Sequence, residues 1–145
     1  MTEMFIKPKL LPFRVSSYSA AAPVPDRRVG HLNEWSALDA FAREEGIDLD
    51  MGDESVESLD VRLASLPPAQ APELLKDMAV YLGETVISRA PRCSWLLDGN
   101  GYPTLDIPNG DRWDVIKFCH WREEGAPSRL LDGVLEITKR GGGGA

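Results

Sequence analysis

The sequence of residues 72–89 is PELLKDMAVYLGETVISR, and this stretch decides the fold. Pro72 suits the first turn of a helix, where its missing N–H costs nothing. Apolar residues then recur at the spacing of an amphipathic helix: Leu74, Leu75, Met78, Ala79, Leu82 and Val86. We therefore expect a helix over 72–89 with one buried stripe. Gly83 borders this stripe where alanine is the better helix former, which indicates close approach of another backbone.

The residues after this helix have the period-two pattern of β-strands. Apolar side chains alternate over 93–98, and the glycines of segment 99–101 supply a turn. A second strand is expected over 102–107. It is followed by Asn109-Gly110, the dipeptide most favoured in two-residue hairpin turns, so a short third strand is expected from Asp111. These segments predict a β-hairpin or a three-stranded antiparallel sheet.

Two shorter helices are predicted before the long one. The first should begin near Asn33, a residue type that caps helix N-termini, and end at Gly46. An acidic loop over 48–54 leads to the second helix, which Pro67 and Pro68 stop.

One or two helices are predicted after the sheet. Residues 111–124 fit either a strand or a helix, and we favour a helix after a short strand. Pro127 should open the final helix. Its predicted apolar face consists of Leu130, Leu131, Val134, Leu135 and Thr138.

The chain of 145 residues has the size of one domain with one core. The predicted class is α+β. Residues 1–32 contain Lys-Pro and Leu-Pro pairs and a serine-rich stretch, which favour an extended arm and a linker. Residues 33–140 form the predicted domain, and the glycines of 141–145 predict a flexible tail. The apolar residues of segment 1–15 suit addition of a strand to this domain or to a partner.

Charge is unevenly distributed along the chain. The formal net charge is −7, and residues 33–65 alone carry ten acidic and two basic side chains. Binding to phosphate backbones requires clustered Lys and Arg, which occur only in the short arm, so nucleic acid is not expected as the main ligand. No apolar run reaches the length of a membrane span, and only two cysteines occur. We expect a cytoplasmic protein without membrane insertion.

Catalytic and metal-binding patterns are weak. Segment 48–59 resembles a calcium loop, but its glycine is fifth rather than sixth and its twelfth residue is Leu59 instead of a bidentate Glu. Cys93, Cys119, His31 and His120 lack the paired spacing of a zinc site, and His120 points to a different face from the adjacent Cys119. The sequence therefore predicts no catalytic residue, no metal ligand and no cofactor.

Three short motifs carry a family resemblance: Tyr81-Leu82-Gly83-Glu84, Trp95 and Gly101-Tyr102-Pro103. With them, the chain from Leu74 to about Leu135 resembles a group of uncharacterised small actinobacterial α+β domains. The resemblance implies a helix, a tryptophan strand, a hairpin and a final pair of helices. Similar domains look like bacterial immunity and accessory proteins, which bind a protein partner through an acidic surface.

Two functional hypotheses follow. The leading one is a non-enzymatic protein-binding domain, immunity-like or accessory, which binds a protein of basic character through Asp48, Asp50, Asp53, Glu54 and Glu57. The alternative is a small-molecule site or an enzyme between helix 72–89 and hairpin 93–113, lined by Glu84, Trp95, Arg112 and Trp113. The helical wheel places Glu84 opposite the buried stripe, where solvation is the simpler expectation. Val80 and Ile87 flank that side, so the alternative is a part-buried Glu84 that pairs with Arg89, Arg92 or Arg112. Residues 1–15 are also a candidate for homo-oligomer formation.

Overall fold

The computed structural model describes residues 22–23, 35–63, 71–97 and 103–142. The helices of this part are α1 (Ser36–Glu45), α2 (Asp53–Arg62), α3 (Ala71–Arg89), α4 (Val115–Glu123) and α5 (Leu130–Arg140). The strands are β1 (Ala22–Pro23), β2 (Ser94–Leu97), β3 (Pro103–Asp106) and β4 (Arg112–Trp113). The predicted α+β fold, with helices on a small antiparallel sheet, is confirmed. Segment 111–124 contains the short strand β4 and then the helix α4, as favoured from the sequence.

The sheet has the strand order β1-β2-β3-β4, with antiparallel neighbours throughout. Trp95 lies opposite Leu105, which lies opposite Trp113, so these three side chains share one face. That face packs against the helices and belongs to the hydrophobic core. Strand β1 lies within segment 1–32, for which the sequence predicts an arm and linker. The rest of that segment lies outside the described residues, and so does Asn33, which was predicted to start the first helix. Helix α1 begins later, at Ser36, with Trp35 in the N-cap position.

Helix α1 ends where the sequence predicts. Gly46 adopts the left-handed conformation, with φ 73°. The next residue, Ile47, donates its N–H to the carbonyl of Ala42 at 2.9 Å, which is the long-range bond of a Schellman turn. Ile47 also packs against the core, so the chain leaves α1 in a fixed direction toward the acidic loop.

The turn between β3 and β4 differs from the predicted two-residue hairpin. Gly110 donates its N–H to Ile107 at 2.8 Å, and Ile107 donates to Asp111 at 2.9 Å. Gly110 has φ 98°, so a three-residue loop closes with the glycine in the bulge position. The Asn109 side chain accepts the Asp111 N–H at 2.9 Å, which favours this longer turn.

Helix α3 is the centre of the molecule. Its residues 78–87 are all buried, because other helices and the sheet surround them. The predicted stripe is confirmed as core, but burial extends round the whole second half of the helix. The expectation that Glu84 is solvated is therefore wrong, since only 8% of that residue is exposed. A helical wheel identifies the most apolar face and does not reveal whether a second layer covers the opposite one.

Gly83 accommodates an aromatic ring rather than the backbone expected from the sequence. A Cβ placed on Gly83 would lie 2.3 Å from Cη2 of Trp95 and 2.4 Å from its Cζ2. The indole therefore lies directly on the helix backbone. The reason for the glycine is close packing, as predicted, but the packing partner is the side chain of β2.

The final helix differs from its prediction in start and orientation. It begins at Leu130 rather than Pro127, because Asp132 accepts the N–H of Arg129 at 3.0 Å and caps the helix there. Leu135, predicted to face the core, is 47% exposed. Gly133 faces inward instead and contacts the ring of Phe118. Of the predicted flexible tail, Gly141 is described and buried, and residues 143–145 lie outside the described part.

Candidate functional site

The acidic surface comprises Asp48, Asp50, Asp53, Glu54 and Glu57. The first two residues lie in the loop between α1 and α2, and the others lie in the first turns of α2. All are exposed except Glu57, which is partly exposed. Carboxylates in the first turn of a helix are favoured by its macrodipole, so α2 tolerates this concentration of negative charge.

Met51 fixes the loop that carries Asp48 and Asp50. Its φ is 64°, in the left-handed region that residues with a Cβ rarely adopt. Its N–H donates to the Tyr81 hydroxyl oxygen at 2.7 Å, and its carbonyl accepts from Nη2 of Arg89 at 2.8 Å. Two side chains of α3 thus hold both polar backbone groups of one residue. These bonds compensate a conformational cost of about 1 to 3 kcal/mol.

Tyr81, which holds the Met51 N–H, is buried and also contacts the start of α2. Ser55 donates its hydroxyl hydrogen to the carbonyl of Gly52 at 2.8 Å, so the Tyr81 hydroxyl donates to Ser55 Oγ, also at 2.8 Å. Burial raises the pKa of Tyr81, against the opposing effect of its hydrogen bonds with Ser55 and Met51. The phenol is therefore neutral and links α3 to the N-terminus of α2. Trp35 packs edge-on against its ring, with 5.5 Å between ring centroids.

Replacement of Tyr81 by Phe tests this link. We expect Tyr81→Phe to lower the free energy of unfolding by about 1 to 3 kcal/mol, because the part-buried Met51 N–H and the buried Ser55 hydroxyl each lose a partner. The main effect should be local. Hydrogen exchange of the Met51 amide should accelerate far more than that of amides in the centre of α3, and mass-resolved exchange measures both. Equal acceleration at both places would contradict a local role.

Part of the acidic surface is neutralised by arginines. Arg89 lies 3.0 Å from a carboxylate oxygen of Asp53, and Arg129 lies 3.3 Å from one of Glu57. Within the described residues, Asp48 and Glu54 form no ion pair. Their charge is therefore directed to solvent, on a loop and a helix start held in place by α3.

The residues of the alternative site are only partly brought together. Trp95 donates its indole N–H to Oε2 of Glu84 at 2.8 Å, and Trp95 is fully buried. Trp113 is also fully buried, with its ring centroid 5.4 Å from that of Phe118. Arg112 precedes Trp113 on β4, so its side chain belongs to the opposite face of the sheet. Side chains fill the space between α3 and the sheet.

The two cysteines are buried, and burial disfavours their reactive thiolate forms. Burial raises the pKa of the Cys93 thiol from 9.0 to about 11, and burial also raises the pKa of Cys119. His120 is exposed while its neighbour Cys119 is inaccessible, so the two do not form a nucleophile–base pair. Among the described residues, no group of three His, Cys, Asp or Glu side chains is arranged to hold a metal ion.

A thiol-labelling measurement checks the Cys93 environment. The thiolate is the reactive form, and a shift of the pKa from 9.0 to about 11 lowers its fraction at pH 8 by about 100-fold. We expect iodoacetamide to modify the folded chain at least about 100-fold more slowly than the urea-unfolded chain. The Cys93 thiol ionises at a lower pH in the unfolded chain than in the folded chain. Its contribution to the free energy of unfolding should therefore fall as the pH rises from 9 to 11. Equal labelling rates would contradict the buried setting.

Two polar residues of structural importance were missed from the sequence. Asp60 on α2 is buried and accepts two hydrogen bonds from Arg122 on α4, at 2.9 Å each. Asp77 on α3 accepts the Leu38 N–H at 3.1 Å and so caps α1, whose own N-cap residue provides no side-chain bond. Burial raises the pKa of Asp77, and hydrogen bonds from the backbone of Leu38 and Ala37 partly offset this rise. Neither partner is close in sequence, so no local motif indicates these bonds.

Comparison with protein-family models identifies a match over most of the chain. A family of unknown function, DUF6278, matches residues 14–136. The chain belongs to this family. The match includes every described helix and strand, apart from the last turn of α5. Neither the curated proteins nor the solved structures contain a match. In the described part of the chain, no helix has the length and apolar character needed to cross a membrane.

Proposed function

We propose that this member of DUF6278 is a non-enzymatic protein-binding domain, immunity-like or accessory, whose partner presents a basic surface. The partner contacts the acidic surface, with Asp48 and Glu54 as the principal charges. The observation that carries the proposal is the rigid support of these carboxylates, since Tyr81 and Arg89 of the core helix hold the loop backbone at Met51. A preorganised surface loses little conformational entropy on binding.

The electrostatics support a basic partner. Residues 33–65 carry a formal charge of −8, from ten acidic and two basic side chains. Opposite charges accelerate encounter and exclude partners of like charge, and this effect weakens as salt screens the field. Arg89 and Arg129 reduce the charge near Asp53 and Glu57. Among the described residues, Asp48 and Glu54 therefore keep charges that no ion pair compensates.

The packing between α3 and the sheet weighs against the alternative small-molecule site. Ligand sites of that kind are concave and largely preformed. Here Gly83 has no room for even one methyl group beside Trp95, and the Glu84 carboxylate already accepts the indole N–H. A ligand at this junction would have to displace a fully buried tryptophan.

Affinity capture with charge-reversed variants tests the proposal. The tagged chain is used to recover partners from the native cell at about 50 mM and about 500 mM salt, which differ several-fold in charge screening. We expect a basic protein at low salt and its loss at high salt. The variant Asp48→Lys/Glu54→Lys should recover at least about tenfold less of it, because two attractive charges become repulsive.

A matched control separates this surface from net charge. Glu123→Lys/Glu124→Lys changes the formal charge equally, at two exposed residues of the α4 C-terminus. It should recover the partner as the unmodified chain does. The proposal fails if no partner is recovered at either salt concentration, or if both double variants retain it equally.

A further inference from the structure

One side of helix α2 is directed to solvent, and we call it the solvent face of α2. It comprises Glu54, Glu57, Ser58 and Val61. These residues lie within an arc of about 100° around the helix axis, because their spacing follows the period of an α-helix. The other side of α2 carries Val56 and Leu59 into the hydrophobic core. The burial of α2 is therefore one-sided, and its solvent face is available for contact.

Neither burial nor helix propensity accounts for Val61. This residue is 69% exposed, so its side chain gains little from the core. A β-branched residue is also a poorer helix former than alanine or leucine. Single exposed apolar side chains are common on protein surfaces, but Val61 shares its face with two carboxylates of the acidic surface, Glu54 and Glu57. The combination of charge and apolar surface on one helix face indicates a contact surface.

The charges of this face are accessible to a partner. Glu54 is exposed and forms no ion pair within the described residues. Glu57 lies 3.3 Å from Arg129, but the side chains of that pair are 47% and 55% exposed. Val61 follows Glu54 by seven residues, which is about 10 Å along the helix axis. The acidic surface therefore extends along α2 and ends in an exposed apolar side chain.

Charge complementarity decides between the occupants of this face. A second copy of the chain would bring carboxylates of α2 opposite carboxylates, and such like-charge contacts are destabilising. A basic partner complements Glu54 and Glu57, and Val61 requires that partner to present an apolar side chain as well. A helix meets both requirements, because residues seven positions apart lie on one helix face with the same separation of about 10 Å.

We propose that the solvent face of α2 binds a basic amphipathic helix of the partner protein. An apolar side chain of that helix packs on Val61, and a Lys or Arg about seven positions away pairs with Glu54. The proposal rests on the proposed function of the acidic surface and adds the form of the partner. Charge accelerates the encounter, while the apolar contact contributes affinity that salt does not screen.

Two synthetic peptides of equal charge test this form of recognition on the full chain. The amphipathic probe is a helix of about 18 residues of lysine, alanine and leucine, with leucine along one face, and the polar probe has glutamine in place of each leucine. Calorimetric titration should show at least about tenfold tighter binding of the amphipathic probe. Its addition should shift the NMR signals of the 54–61 amides most. Val61→Ser should remove most of this preference without changing the urea midpoint of unfolding, because Val61 is exposed.

Leu135→Ser is the matched control, because Leu135 is an exposed apolar residue on a different helix, α5. This variant should keep the preference for the amphipathic probe. Equal affinities for the two probes would overturn the amphipathic helix while leaving a purely charge-based partner in place. Absence of binding by both probes, equal losses in the two serine variants, or signal shifts centred outside α2 would overturn it as well. The proposed function itself is decided separately, by affinity capture with the charge-reversed variants.

Discussion

Gly83→Ala is expected to lower the free energy of unfolding by about 2 kcal/mol, although alanine is the better helix former. The added Cβ would lie 2.3 Å from the Trp95 ring, far inside van der Waals contact. The ring cannot move away without breaking its hydrogen bond to Glu84. Overpacking costs about 1 to 3 kcal/mol, and in this geometry its upper range exceeds the helix propensity gain of about 1 kcal/mol.

Urea unfolding monitored by tryptophan fluorescence measures the Gly83→Ala effect. Lys76→Ala, at an exposed site on the same helix, is the control and should change stability by less than about 0.5 kcal/mol. A double-mutant cycle with Trp95→Phe adds a sharper criterion. The smaller ring leaves room, so Gly83→Ala should cost less in that background. A neutral or stabilising Gly83→Ala in the unmodified chain would contradict the packing described.

Asp60→Ala is expected to have the largest effect of any single polar substitution considered, about 3 to 5 kcal/mol. The carboxylate accepts hydrogen bonds from Nε and Nη2 of Arg122 at 2.9 Å each, and from the N–H of Leu130 at 3.0 Å. Its removal leaves a guanidinium without its anionic partner and the first N–H of α5 without an acceptor. Three helices, α2, α4 and α5, meet at this one side chain.

Chemical denaturation of Asp60→Ala and of Glu57→Ala shows how much more stability is lost when the removed carboxylate is buried. Both substitutions remove a carboxylate of α2 that pairs with an arginine. The Glu57–Arg129 pair is about half exposed, so its loss should cost at most about 1 kcal/mol. Similar losses in the two variants would contradict a structural role for the Asp60 network.

The sequence was informative at several places where the physical cause is local, although two local side-chain bonds were missed. The apolar spacing of 72–89, the alternation after residue 93 and the left-handed Gly46 each depend on a few neighbouring residues. The structure places α3, β2 and the end of α1 accordingly. The two-residue hairpin was wrong because the Asn109 side chain bonds to the Asp111 backbone and stabilises a longer loop. The predicted start of α5 was wrong for a similar reason, since the Asp132 side chain accepts the Arg129 N–H and caps the helix there.

The remaining differences arise from tertiary packing. Glu84 is buried because Trp95 and other elements cover a helix face that the wheel assigns to solvent. Leu135 is exposed, whereas Gly133, on the other side of α5, lies against the ring of Phe118. Both outcomes depend on which elements become neighbours, and spacing along one helix carries no information about that.

The residues of the candidate site could be predicted from the sequence, but the contacts that hold them in place could not. The carboxylates of Asp48 to Glu57 are visible as an acidic run. Their support is not, because Tyr81 is thirty positions from Met51 and Arg89 is thirty-eight. Tyr81 and Glu84, two residues of the Tyr-Leu-Gly-Glu motif, therefore act on different parts of the fold. Tyr81 holds the acidic loop, and Glu84 holds the Trp95 ring.

The central claim is that α3 and the sheet pack directly against each other, and the proposed function at the charged surface depends on it. Hydrogen exchange of the Trp95 indole N–H, observed by NMR and assigned with Trp95→Phe, tests it most directly. A buried proton bonded to Glu84 at 2.8 Å should exchange only through global unfolding, as slowly as the most protected amides of α3. Exchange within seconds in the folded chain, at the rate of an exposed indole, would demonstrate an open junction and contradict the account.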